Sequence, residues 1–140
     1  MSVAPEIYAR VTSVLEEALV VDKDDITPTA ALQRDLGADS LDLLEVMFRL
    51  EQEFGIEIMR GELFPDSTFR MGPELVQDGR LTDKGFAELQ SRLPYANLSS
   101  LQDDRRLSAI PDLFTVCLVA EFVAWKLESR DSEGFAAERA

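Results

Sequence analysis

The chain's 140 residues suffice for one domain, and an apolar share of 46% belongs to a packed globular protein rather than a disordered acidic tail. Lys and Arg number 14 against 27 Asp and Glu, a net charge of −13 that argues against nucleic acid and anionic membrane surfaces as partners, since both require a basic patch. With no His and one Cys, Cys117, a Ser-His-Asp triad, a Cys-His pair, a His-ligated zinc or iron site, an intrachain disulfide and a CxxC site are all excluded.

Pro5 suits a first helical turn, and Ile7, Val11, Val14, Leu15, Ala18 and Leu19 recur at helical spacing, so residues 5–20 are expected to form a helix. The acidic run from Asp22 to Asp25 and then Pro28 should stop it. A second helix is expected over residues 40–54, with Leu41, Leu44, Met47 and Phe48 on one stripe and Gly55 as its C-terminal stop. Residues 59–81 are ambiguous, punctuated by Gly61, Pro65, Gly72, Pro73 and Gly79. Thr82 should cap a short helix that buries Phe86, Leu89 and Leu93 and ends at Pro94. Residues 95–110 read as loop. Asp112 to Glu128 reads as a helix that is apolar nearly all round, and therefore the most buried element. The tail from Ser129 is expected to fray. No period-2 alternation stands out, so the fold class is all-α.

Two further expectations concern location. Met1 to Glu6 lacks the basic and apolar regions of a signal peptide. The apolar stretch from Leu113 to Leu127 holds Glu121 and Lys126 and is too short to span a bilayer. With a single thiol, these features point to a cytoplasmic, acidic, soluble protein without membrane insertion.

Charge is uneven. Residues 1–59 hold 13 acids and 4 bases, so an acidic surface belongs there. The stretch Leu36-Gly37-Ala38-Asp39-Ser40-Leu41 within it is the most informative. Gly37 permits a tight turn, and Asp39 or Ser40 can cap the following helix. A phosphodiester on the Ser40 oxygen would lie at the positive end of that helix. Asp42, Glu45, Glu51 and Glu53 decorate the helix behind it. From Asp39-Ser40 alone, an ordinary helix cap is the simpler explanation.

The longer context closely resembles the phosphopantetheine attachment motif of acyl carrier proteins. The resemblance covers residues 5–58 and resumes weakly from Phe114 to Lys126, similar to that family's closing helix. It implies an acyl-carrier-protein-like four-helix bundle and a carrier, not an enzyme. Ser40 would receive 4′-phosphopantetheine from coenzyme A, with Asp39 and Leu41 beside it, and the arm's thiol would hold an acyl group as a thioester. Leu41 and Leu44 would join the core or the acyl pocket, and Phe48 would help to line it. Asp42, Glu45 and Glu51 would dock a phosphopantetheinyl transferase and acyl synthases or transferases through their basic patches.

Arg49 and Gln52 interrupt that acidic face. Because an ordinary carrier needs about half this length, the expected organisation is one monomeric carrier domain. Its core covers residues 3–58 and 111–129, with an insertion at 59–110 and a tail at 130–140. The length suggests a specialised carrier in fatty-acid, lipid or polyketide-type biosynthesis. The insertion's apolar residues, Leu63, Phe64, Phe69, Met71, Leu75 and Val76 among them, should cover the groove between the second and closing helices and select cargo or partners. A peptidyl carrier, or an unmodified helical interaction module with a carrier-like fold, are the alternatives.

Other constellations are weaker. Asp22-Lys23-Asp24 opens like a calcium loop, but Thr27 stands where that loop needs Gly and Gln33 where it needs Glu, so a solvated turn is expected and no metal site. Cys117 and Trp125 read as core, and Arg105-Arg106 as a solvated loop.

Overall fold

Local sequence chemistry sets most helix ends. In the computed structural model, which describes residues 3–59, 63, 73–96 and 98–139 (backbone alone for Ser100, Ser108 and 129–139), α1 runs Pro5–Leu19 with the proline in its first turn. Val20, not the acidic run, ends it by turning left-handed (φ 52). A 3-10 turn, Lys23–Asp25, follows.

Helix α2, Ser40–Phe54, starts at the N-cap Asp39 and stops where Gly55 adopts φ 64 and its N–H reaches the Glu51 carbonyl. A two-residue hairpin comes next, β1 (Val76–Gln77) against β2 (Arg80–Leu81). Its Asp78-Gly79 turn has positive φ at both residues, the geometry that matches a hairpin's twist. Helix α3, Asp83–Arg92, is capped by Thr82, whose Oγ1 accepts from the Gly85 N–H at 3.0 Å. Helix α4, Ser99–Asp103, and a 3-10 turn at Leu107–Ala109 occupy a stretch expected to be loop. Helix α5 covers Val116–Arg139.

The last helix departs from expectation at both ends. A 3-10 turn takes Pro111–Leu113, and Thr115 instead forms an antiparallel bridge with Ala31. The backbone pairs on both sides of it: Leu32 N–H to the Phe114 carbonyl (2.9 Å), Val116 N–H to Ala30 (3.0 Å) and Cys117 N–H to Pro28 (3.0 Å). This tertiary pairing, with the Thr115 hydroxyl accepting from the Leu118 N–H at 3.2 Å as a cap, starts the helix one turn later than expected. Helical backbone then continues past Glu128, where weak patterning suggested an end.

The described chain is mostly helical. Helices α1 and α2 run antiparallel, since Arg10 reaches Glu53 and Arg49 reaches Glu17. Both pack on α5. Their shared core contains Val11 and Leu15, Val46 and Leu50, and Val116, Val119, Phe122 and Val123, each without measurable exposure. The later segment joins the same core through Leu63, Leu81, Leu89, Leu93, Leu98 and Leu101. Tyr95 sits edge-on against Phe122 (5.1 Å between centroids) and 5.5 Å from Trp125, so this segment covers α5. Phe64, Phe69 and Met71, with Gly61, Pro65 and Gly72, lie outside the described residues.

Among the described residues, no helix is long and apolar enough to cross a membrane, and no group of His, Cys, Asp or Glu is placed to hold a metal ion.

Candidate functional site

The turn before Ser40 is built backwards from buried residues. Leu32, Leu36 and Ala38 are buried, and the Ala38 N–H donates to the Leu32 carbonyl at 2.9 Å. Asp35 Oδ2 accepts from the Ala31 N–H at 2.8 Å. Its hydrogen bond from Arg34, then that from the Ala31 backbone, lower its carboxyl below the ordinary carboxylate range. Gly37 turns the chain at φ 71, where a Cβ would meet nothing within 4 Å. Backbone conformation, not crowding, favours glycine there.

Asp39 and Asp42 then form a reciprocal capping box. Asp39 Oδ1 accepts from the Asp42 N–H at 2.8 Å, and Asp42 Oδ2 accepts from the Asp39 N–H at 3.0 Å. Ser40 is the first residue of α2 and is exposed. The N–H groups of Ser40 and Leu41 precede the first intrahelical bond, which Leu43 makes to the Asp39 carbonyl. The arrangement therefore offers an exposed hydroxyl beside unpaired donors at a helix's positive end, suited to an anionic phosphodiester.

The apolar stripe is not where expected. Leu41, Leu44 and Phe48 are 74%, 58% and 54% exposed, so they are not core. Val46, Leu50 and Phe54 are the buried face, with Leu43 and Met47 half-buried beside it. Helix α2 thus carries two apolar faces. The outer one, with Met47, Ile58 and Met59, lines a groove of about 510 Å³ whose rim includes Glu45 and Glu51.

The acids expected to dock partners already have internal bonds. Asp42 is part of the cap. Glu45 is held by Arg49 at 2.7 Å, and Glu51 Oε2 accepts from the Ile58 N–H at 3.0 Å. Glu53 pairs with Arg10.

Elsewhere, Cys117 is half-buried, and burial followed by Glu121 pushes its thiol above the ordinary range, which suits an inert core residue. Arg105 is not a solvated loop residue. It stacks on the Phe86 ring (4.6 Å) and reaches the Thr82 carbonyl (3.2 Å) and Asp83 (3.3 Å). Trp125 packs with Phe122 but also borders a cleft of about 370 Å³.

Residues 9–71 match the family described as a phosphopantetheine attachment site. Over 68 residues the chain is 41% identical to the acyl carrier protein of Thermotoga maritima, a span covering 49% of this chain and 84% of that protein. The chain belongs to the acyl carrier protein family. The matched span contains the whole turn, Ser40 and α2. Acyl carrier proteins are carriers rather than enzymes, and the phosphopantetheine group belongs with the attachment domain this chain possesses. The family match ends at residue 71, before the hairpin and α3.

Proposed function

We propose that Ser40 carries 4′-phosphopantetheine, transferred from coenzyme A by a phosphopantetheinyl transferase, and that the protein delivers acyl groups to enzymes of fatty-acid, lipid or polyketide-type biosynthesis. The observation carrying this reading is the exposed Ser40 at the first position of a capped, 15-residue helix inside the matched span. When attached, the group supplies the thiol that holds an acyl chain as a thioester. The chain's own residues do the rest. Gly37 and the cap fix where the hydroxyl points, and the Ser40 and Leu41 N–H groups face the phosphodiester. Leu44 and Phe48 give the apolar surface against which an acyl chain shelters, with Leu41 and Met59 at its edges. Asp42, Glu45 and Glu51 are the acids that basic partner enzymes meet.

The organisation we favour is a four-helix-type carrier core of residues 3–58 and 111–129, interrupted by an insertion at 59–110. Support comes from α5, which packs on α1 and α2 and whose start is paired with residues 28–32. The reading takes the protein as a cytoplasmic monomer, a compartment that keeps the Cys117 thiol reduced.

Intact mass after incubation with coenzyme A and a broad-specificity transferase should rise by one phosphopantetheinyl group, and Ser40→Ala should abolish the rise. Ser13 and Ser91 are exposed too, but they sit within α1 and α3. Unchanged labelling of the Ser40→Ala protein would overturn the assignment.

A further inference from the structure

Each of the three docking acids is held differently. Asp42 and Glu51 accept hydrogen bonds from neutral backbone N–H groups, which leave their charge uncompensated. Among the described residues, Glu45 is the one of the three that a cation holds. Arg49, one turn later on α2, donates from Nε to Glu45 Oε1 at 2.7 Å and from Nη1 to Glu17 Oε2 on α1 at 3.1 Å. Glu preceding Arg by four residues is the favoured order for such a pair on a helix. Glu45 also stands on the rim of the exposed apolar groove, so the clamp lies on the surface that visiting enzymes would touch.

We propose that Arg49 is a specificity-determining residue that withholds Glu45 from partner enzymes. The proposal rests on the reading of Ser40 as the attachment site and α2 as the docking helix. A partner's Lys or Arg approaching Glu45 meets the guanidinium first and must displace it from two carboxylates. Enzymes whose docking requires a full row of acids are therefore disfavoured. Those that combine contact to Asp42 and Glu51 with an apolar surface against Leu41, Leu44 and Phe48 are retained. Because the pair is solvent-exposed (side chains 38% and 46% exposed), it is exchangeable, so the clamp tunes association rather than blocking it. Specificity then comes partly from a repulsive charge built into the carrier.

The test uses the full chain as substrate for a transferase with a basic docking patch, read as kcat and KM at several salt concentrations. Arg49→Gln should lower KM about threefold to tenfold at low ionic strength with kcat unchanged, and the gain should vanish as salt screens exposed charges. Glu17→Gln breaks the α1 arm of the clamp but leaves Glu45 held, so its gain should be smaller than that of Arg49→Gln, whereas Arg10→Gln, which removes one base from the Glu53 pair, should leave KM within about twofold. In a Glu45→Gln background, Arg49→Gln should have no effect.

An unchanged KM for Arg49→Gln would overturn the proposal. So would an equal gain from Arg10→Gln, which would show a general charge effect, or a gain that persists without Glu45. The mass labelling of Ser40→Ala reports on the attachment site separately, so a failure there is distinguishable from a failure of the clamp.

Discussion

Val20 terminates α1 with φ 52 and is 87% exposed. A β-branched side chain in this left-handed region strains the backbone, at about 1–2 kcal/mol per residue, and gains no burial in return. Val20→Gly relieves that strain but adds unfolded-state freedom. The expected net gain is about 0.5–1 kcal/mol, read as a higher urea midpoint with an unchanged slope.

The capping box makes the opposite prediction. Asp39→Ala removes the acceptor for the Asp42 N–H and should cost about 1 kcal/mol. Asp42 shares the cap, so reversing its charge would weaken the helix as well as any docking, and Glu45 and Glu51 are the cleaner positions for electrostatic tests.

Asp104 offers a pH readout. Its hydrogen bond from the Arg106 side chain, followed by that from the Arg106 backbone, pulls its carboxyl down to about 2. A carboxyl lowered by folding contributes stability above its ordinary range, and that contribution is lost as pH falls towards about 2. Carboxyl carbon shifts should place the Asp104 titration near that value, and Arg106→Ala should move it back towards ordinary carboxylate behaviour.

Among elements, α5 and α3 depend on close packing of different kinds. Val123 has no measurable exposure, and Val123→Ala should cost about 1–3 kcal/mol through the cavity it leaves. Gly85 is the tighter position. A Cβ there would overlap the Leu75 carbonyl oxygen, so the turn before the hairpin must rest directly on the α3 backbone. Gly85→Ala, usually a gain inside a helix, should instead cost about 1–3 kcal/mol in thermal or urea denaturation.

The same elements show what could be read from sequence. Pro5, Thr82, Gly55 and the Gly37-Ala38-Asp39-Ser40 turn act through their own backbone chemistry, so α1, α2, α3 and the site turn were legible to within a residue or two. Periodicity could not say which α2 face is buried, because Leu41, Leu44 and Phe48 recur as regularly as Val46, Leu50 and Phe54. The strands Val76–Gln77 and Arg80–Leu81 are too short to alternate. Asp78-Gly79, flanked one residue further out by Val76 and Leu81, was the signal available for them. The delayed start of α5 is only partly local, since the Thr115 hydroxyl accepts from the Leu118 N–H at 3.2 Å as a cap, while the strand-like pairing that holds Thr115 involves residues more than eighty positions earlier.

At the scale of the whole molecule, the leucines of α3 and α4 share one core with α1, α2 and α5. Unfolding should therefore be a single cooperative event. Trp125 fluorescence, which senses Tyr95 and Phe122, should trace the same denaturation curve as helical ellipticity. Two separated transitions would mean that the segment after residue 72 unfolds by itself.

The bridge between Ala31 and Thr115 also has a consequence in time. The ribosome makes the serine motif in the first third of the chain, yet the loop leading to it is pinned by backbone from Phe114 to Cys117. A nascent chain that has reached only Met59 displays every residue of the motif but lacks the strut behind it. If Ser40 is the attachment site we propose, its decoration is therefore expected to wait until residues 114–117 have been made and paired. A chain ended at Met59 should accept the group far more slowly than the full protein in a timed mass assay, and equal rates would show that the turn holds its shape unaided.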